Sequence, residues 1–311
     1  MQPWNVQIGV NPLSWMNDDL PALGGDTPLS TALREGAEIG YAGFELGNKF
    51  PSDPAALQAL LADYGLACVS GWYSGHLAQS TVEAEVERCS KHLEKLHFNS
   101  CKVLVYGEVA GSIQGCRGTP LSKRPRFTDE AQWSAYADKL TQFGAHLKIR
   151  YGITLAYHHH MGAYVETPQD IDTLMALTNP ECVSLLFDTG HAYYGGAVDP
   201  VALLRRHIQR VAHVHCKDVR ARVIQQARNE RLSFLDGVLN GIFTVPGDGD
   251  LNFFAVLKTL HEGGYEGWLV VEAEQDPAVA PSYAYAKKGY DSLRSIVNQI
   301  SAVRVQPAEE N

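Results

Sequence analysis

The sequence predicts an α/β protein folded as a (β/α)8 TIM barrel with insertions after strands four and seven. Short apolar runs alternate with helix-length segments along the whole chain, and eight such pairs can be counted. The two longest connections, 109–127 and 219–250, follow expected strand C-termini, where barrel enzymes build their sites. At 311 residues the length suits one such domain over residues 1–311, since this architecture needs about 250 residues before insertions.

In chain order the strands are expected at 6–14, 41–47, 67–75, 102–108, 154–160, 184–191, 211–218 and 268–275. Helical stretches lie between them near 29–39, 54–64, 82–97, 130–150, 168–177, 199–208, 251–262 and 283–300. Asp53-Pro54 and Asp199-Pro200 each place an N-cap before a first-turn proline, and Thr128 before Ala131 is a weaker start signal. An open doubly wound sheet is the alternative, but it calls for a G-x-G-x-x-G turn after the first strand that this sequence lacks.

Composition narrows the functional class. With 45% hydrophobic and 20% charged residues the chain can bury a real core. A net charge of −9 disfavours nucleic acid as the main partner, so a small neutral molecule fits better. No apolar run is long enough to span a membrane, and the N-terminal stretch lacks signal-peptide character, so a cytoplasmic protein is expected. The six cysteines form no C-x-x-C pair and read as free thiols, with Cys116 the most exposed.

Strand side chains alternate between two faces. On strand seven His213, His215 and Lys217 share a face opposite Ala212, Val214 and Cys216. On strand eight Glu272 and Glu274 lie with Val270. The same rule groups Ala156, His158 and His160 on strand five, Leu186 with Asp188 on strand six, Lys102, Tyr106 and Glu108 on strand four, and Gly43, Glu45 and Gly47 on strand two. A single strand-end His or Glu is usually solvated or hydrogen-bonded. Several converging in one interior are costly to bury unless paired, wet or bound to a cation. Imidazoles and carboxylates without a thiolate cluster suit Mn2+, Co2+, Fe2+ or Zn2+, and Mn2+ or Co2+ is the expected ion.

Several stretches together carry a resemblance: NPLSWMNDDLPALGG at 11–25, GFELGNKFP at 43–51, FDTGH at 187–191, VAHVHCKD at 211–218, FTVPGDGDL at 243–251 and WLVVEAEQDP at 268–277. They resemble the inosose dehydratases, a family within the xylose-isomerase-like barrels, over essentially the whole chain. The broader group implies a metal held by residues that match Asp188, His215 and Glu272. Its strand-five glutamate is replaced by His158, which leaves open whether His158 ligates the metal. The replacement argues against epimerisation, which is thought to use a pair of carboxylates.

The resemblance implies elimination of water from 2-keto-myo-inositol to a trihydroxycyclohexane dione, and a glutathione requirement. His160 is the expected base, with a ligand-orienting role as its alternative. Lys217 would stabilise negative charge or assist hydroxide departure, unless it only pairs with Asp218 or Glu274. Glu272 serves both metal and catalysis. Glu45, Trp72, Tyr106 and Glu108 are expected to face the cyclic polyol ketone, although core packing accounts for Trp72 and Tyr106 almost as well. His191 ranks below the four metal candidates. The arginine-rich segment 219–250 is a candidate lid over the mouth. A keto-polyol isomerase or epimerase, an abasic-site DNA endonuclease and an inactive binding barrel are the rival readings, and the sequence leaves homo-oligomerisation open.

Overall fold

The computed structural model describes residues 4–302. Eight parallel strands close a barrel: β1 (Val6–Val10), β2 (Gly43–Leu46), β3 (Ala67–Gly75), β4 (Val103–Glu108), β5 (Thr154–His158), β6 (Val183–Asp188), β7 (Val211–Cys216) and β10 (Gly267–Val271). Closure is made by β10, which pairs with β1 on one side and β7 on the other. Between β7 and β10 lies a two-stranded antiparallel sheet of β8 (Asp218–Val219) and β9 (Phe243–Thr244).

The crossover helices are α1 (Leu29–Ile39), α2 (Pro54–Asp63), α3 (Val82–Phe98), α4 (Glu130–Tyr151), α5 (Pro168–Leu177), α7 (Pro200–His207), α10 (Phe253–Glu262) and α11 (Ser282–Ala302). Both Asp-Pro starts cap as expected: Asp53 accepts the Ala56 N–H and Asp199 that of Val201. At α4 the cap is Asp129 rather than Thr128, accepting the Gln132 N–H. None of the described helices is long and apolar enough to cross a membrane. All six cysteines are free, and Cys116 is exposed.

Six expected strands run past their true ends, the second by one residue and the seventh by two, since Asp218 belongs to β8. Residues 12–14 form a 3-10 turn, β5 stops at His158 and β10 stops at Val271. After β6 the chain turns into a short helix, α6 (Thr189–Tyr194). Asp188 itself forces that turn, because its carboxylate accepts the His191 N–H and so caps the helix.

The two insertions are organised differently. Segment 109–127 is mostly loop, anchored by the buried Arg124, which reaches Glu166, Asp170 and the carbonyls of Ala163 and Tyr164 after β5. Segment 219–250 adds helices α8 (Ala221–Asn229) and α9 (Phe234–Leu239). Its Ile224, Phe234, Leu235, Val238, Ile242 and Phe243 form a small core with Met161 and Tyr194. Asp236 of α9 joins the two insertions, bonding Arg117 at 2.9 Å and the Gly118 N–H at 3.1 Å.

Candidate active site

The barrel interior changes character along its axis. Val103, Val105, Ala156 and Leu186 form an apolar cluster inside it, with Trp72 and Ala212 against them. One pleat further on, toward the strand C-termini, the same faces of β5 and β6 carry His158 and Asp188, and β7 adds His213 and His215.

His158 Nδ1 lies 2.6 Å from the His159 carbonyl oxygen, which can only accept. Nδ1 therefore carries a proton, and Nε2 faces Asp188 Oδ2 at 3.6 Å. Asp188 Oδ1 serves the α6 cap, while Oδ2 is buried without a hydrogen-bond donor among the described residues. His215 Nδ1 stands 2.7 Å from Glu272 Oε2 and 3.6 Å from Asp188 Oδ2. One ligand atom from each of His158, Asp188, His215 and Glu272 lies within 4.8 Å of the other three. Two imidazoles, two carboxylates and an orphaned carboxylate oxygen fit a borderline divalent cation.

Around this quartet a further layer sets orientation. Glu45 Oε1 sits 2.7 Å from His213 Nε2 and 3.1 Å from His215 Nε2, and its Oε2 accepts from Asn11 at 2.8 Å. Such carboxylate–imidazole pairs fix the ring of a metal-binding histidine and raise its basicity. Lys217 is fully buried and places Nζ 2.8 Å from Glu272, 3.2 Å from Glu274 and 3.5 Å from Asp188.

Charge follows from these contacts. Burial opposes ionisation of Glu272, but His215 and Lys217 outweigh it and hold the carboxyl at about 2. For Asp188 burial is likewise overcome, chiefly by Lys217, and the carboxyl stays well below its usual range. Burial would lower His215, yet Glu272 and Glu45 carry it well above the usual imidazole value. Glu274 differs: burial pushes it up to about 8 despite the opposing pull of Lys217. His160, buried beside other positive groups, is held down at about 3.

A cavity of about 430 Å³ opens onto the quartet, lined among others by Glu45, Trp72, His158, His160, His215, Glu272 and Glu274. Trp72 presents its ring beside His158 and His160, with centroids 5.4 and 5.9 Å away. His160 lies beyond the strand that was expected to carry it, but the loop still brings it to the cavity. Its Nδ1 is 2.8 Å from the Met161 carbonyl, so its Nε2 is bare.

Tyr106 and Glu108 do not face the cavity. The interior phase of β4 is Val103 and Val105, so Tyr106 packs toward the helices against Phe143 and Tyr157. Glu108 is enclosed there, accepting from the Tyr106 and Tyr136 hydroxyls and from the Ala78 and Ala110 N–H groups. Lys217 is likewise behind the cavity wall, a counter-ion to the Asp188 and Glu272 carboxylates with the Glu274 carboxyl beside it. Asp218 does not pair with it but gathers the Gly247, Gly249 and Leu251 N–H groups.

Asn11, Asp18, Asp19 and Gln114 also line the cavity. Asn11 follows the first strand directly, and Gln114 lies in the insertion after the fourth. For Gln114 its place after a strand C-terminus was the available signal, whereas Asn11 fell inside the first strand as expected over 6–14 and became a rim residue only because that strand ends at Val10.

Residues 33–296 match the family described as xylose isomerase-like TIM barrel. The rhizopine catabolism protein MocC of Rhizobium meliloti is 49% identical over 93% of this chain and 88% of its own length. The inosose dehydratase of Geobacillus thermodenitrificans is 43% identical over 93% of this chain and 96% of its own. In fold, the chain matches the crystal structure of the IOLI protein with a bound zinc atom, with a TM-score of 0.69 at 14% identity over 96% and 100% of the two chains. The chain belongs to the xylose isomerase-like TIM barrel family and, within it, to the inosose dehydratases.

Proposed function

We propose that this chain is a metal-dependent hydro-lyase that removes water from 2-keto-myo-inositol in inositol breakdown, giving a trihydroxycyclohexane dione. The observation that carries the reading is the buried quartet of His158, Asp188, His215 and Glu272 at the floor of a polar cavity, in a chain 43% identical to an inosose dehydratase over nearly its whole length. A divalent cation held by the quartet, for which we propose Mn2+ or Co2+, would supply Lewis-acid polarisation of the ketone.

The remaining roles fall to the protein. His160 keeps its cavity-facing Nε2 unprotonated, since burial holds the ring at about 3, and is the proposed acceptor of the proton from the carbon beside the ketone. The cation-polarised ketone would acidify that C–H to match so weak a base. The electron pair left behind forms the new double bond as the β-hydroxyl departs, and a proton from the protein completes the water. Glu274 reaches the cavity as a carboxyl favoured in its protonated form and is the proposed donor. Glu272 is held ionised by His215 and Lys217. Trp72 offers an aromatic face to the ring C–H surface, and Glu45 keeps His215 in place. Through Glu272 and Glu274, Lys217 acts as a positioning residue. A glutathione requirement rests on the family resemblance alone. The proposed setting is the cytoplasm, with neither nucleic acid nor membrane as partner.

The test is mass-balance NMR after incubating the metal-loaded protein with 2-keto-myo-inositol in deuterated buffer. Formation of the dione, abolished in His215→Ala and Glu272→Ala, is the expected outcome. Deuterium uptake without loss of water would replace the reading with an isomerase. The 49% identity to a rhizopine catabolism protein favours a second reading, in which the preferred substrate is a cyclic polyol ketone from rhizopine breakdown. Only slow turnover of 2-keto-myo-inositol would move the assignment there.

A further inference from the structure

His160, His191 and Glu274 also bring three donor atoms within 4.8 Å of one another. His191 Nε2 is buried without a hydrogen-bond partner among the described residues, and Glu274 Oε2 faces Lys217 Nζ at 3.2 Å. By donor count this is a second cation site. The hydrogen bonds on the far side of the rings decide otherwise.

The Met161 N–H donates to His191 Nδ1 at 3.2 Å, so that nitrogen is bare and the neutral ring carries its proton on Nε2. The Met161 carbonyl accepts from His160 Nδ1 at 2.8 Å, so His160 is bare at Nε2 instead. Flipping the His191 ring would set a C–H against the Met161 N–H, and the ring is packed between Phe234 and Phe243. A cation on His191 Nε2 would move the ring proton to Nδ1. Two buried N–H groups would then oppose each other, an arrangement penalised in a water-poor interior. Lys217, 3.2 Å from Glu274, adds a like charge beside any such ion.

We infer that Met161 fixes two adjacent imidazoles in opposite tautomers, His160 as acceptor toward the cavity and His191 as donor toward Glu274, so that this trio takes no second cation. The rings lie 4.0 Å apart between centroids, and His191 Nε2 stands 4.0 Å from Glu274 Oε1. His191 is thus a positioning residue: it backs the base and directs an N–H at the carboxyl opposite. The catalytic consequence rests on the function proposed above. The tautomers and the ion count rest on hydrogen bonds alone.

The experiment uses the full chain with 15N-labelled histidine, loaded with diamagnetic Zn2+. Long-range 15N–1H correlation is expected to find His160 protonated at Nδ1 and His191 at Nε2, and equilibrium dialysis to saturate at one Zn2+ per chain. A bare His191 Nε2, or uptake of a second equivalent, overturns the inference. Turnover adds a separate readout. His191→Gln, whose amide N–H reaches toward the Nε2–H position, should keep most of kcat, while His191→Asn, which reaches only toward Nδ1, should lose on the order of tenfold or more with KM nearly unchanged. Equal losses in the two variants would remove the positioning role. If 2-keto-myo-inositol is not turned over at all, the tautomers and stoichiometry still read out, which separates this failure from that of the proposed reaction.

Discussion

Glu108 at the end of β4 and Glu272 just past the end of β10 are both buried glutamates at the same rim of one barrel, yet they have opposite fates. Glu108 lies outside the staves, where two tyrosine hydroxyls and two backbone N–H groups surround it. Burial there pushes its carboxyl up to about 7. Glu272 lies inside, against a lysine and an imidazole, and is held at about 2. The pair teaches that burial alone does not make a functional carboxylate. The side of the sheet decides whether it meets hydroxyls or cations, and one residue of phase sets the side.

Removing the cation should break the contrast most severely. Lys217→Met leaves the Asp188 and Glu272 carboxylates buried without their shared lysine counter-charge, and a loss of about 3–5 kcal/mol in unfolding free energy is expected from denaturant titration of the metal-free chain. A loss below about 1 kcal/mol would show that these carboxylates do not depend on Lys217. Next comes Glu272→Ala, expected to lower kcat/KM on the order of 10³-fold. The same change should weaken Zn2+ binding in equilibrium dialysis. Normal Zn2+ affinity with lost turnover would assign Glu272 to chemistry only.

How much of this arrangement was legible varied with the strand. On β7 the alternation of histidines with valine and cysteine gave the phase directly, and His213 and His215 do face inward. On β4 the run Val103, Leu104, Val105 and Tyr106 is buried on both faces, as parallel strands between barrel core and helices generally are. Apolar residues then occupy both phases, so the pattern cannot choose, and Tyr106 and Glu108 were assigned to the wrong side. His160 and His191 expose a second limit. Both lie beyond their strands, one in a loop and one in α6, where period-two alternation no longer applies. Their places are set by tertiary contacts, through Met161 and Phe234, that no local pattern encodes.

Glu45 sharpens the comparison at smaller scale, because it is an interior carboxylate that meets histidines rather than a lysine. Burial opposes its charge, but His215 and His213 hold it well below the usual range. Glu45→Gln keeps the shape and removes the charge behind His215. Zn2+ affinity or turnover should fall about 10–100-fold, the usual cost of losing a partner behind a metal ligand. An unchanged affinity would mean that His215 is oriented by Glu272 alone.

The mildest test acts on the outer glutamate. A folded-state value of about 7 against an ordinary 4.5 means that the native chain keeps a proton on Glu108 that the unfolded chain releases. This group therefore favours folding most below about pH 4.5, and its contribution is lost as pH rises through about 7, with a slope of at most about 1.4 kcal/mol per pH unit. Glu108→Gln cannot ionise, and its amide oxygen can still accept from the tyrosine hydroxyls. Denaturation midpoints measured from about pH 5 to about pH 8 should decline more steeply in the parent chain than in the variant. Parallel profiles would show that Glu108 ionises freely where it stands, and its difference from Glu272 would then be one of neighbours without a consequence for charge.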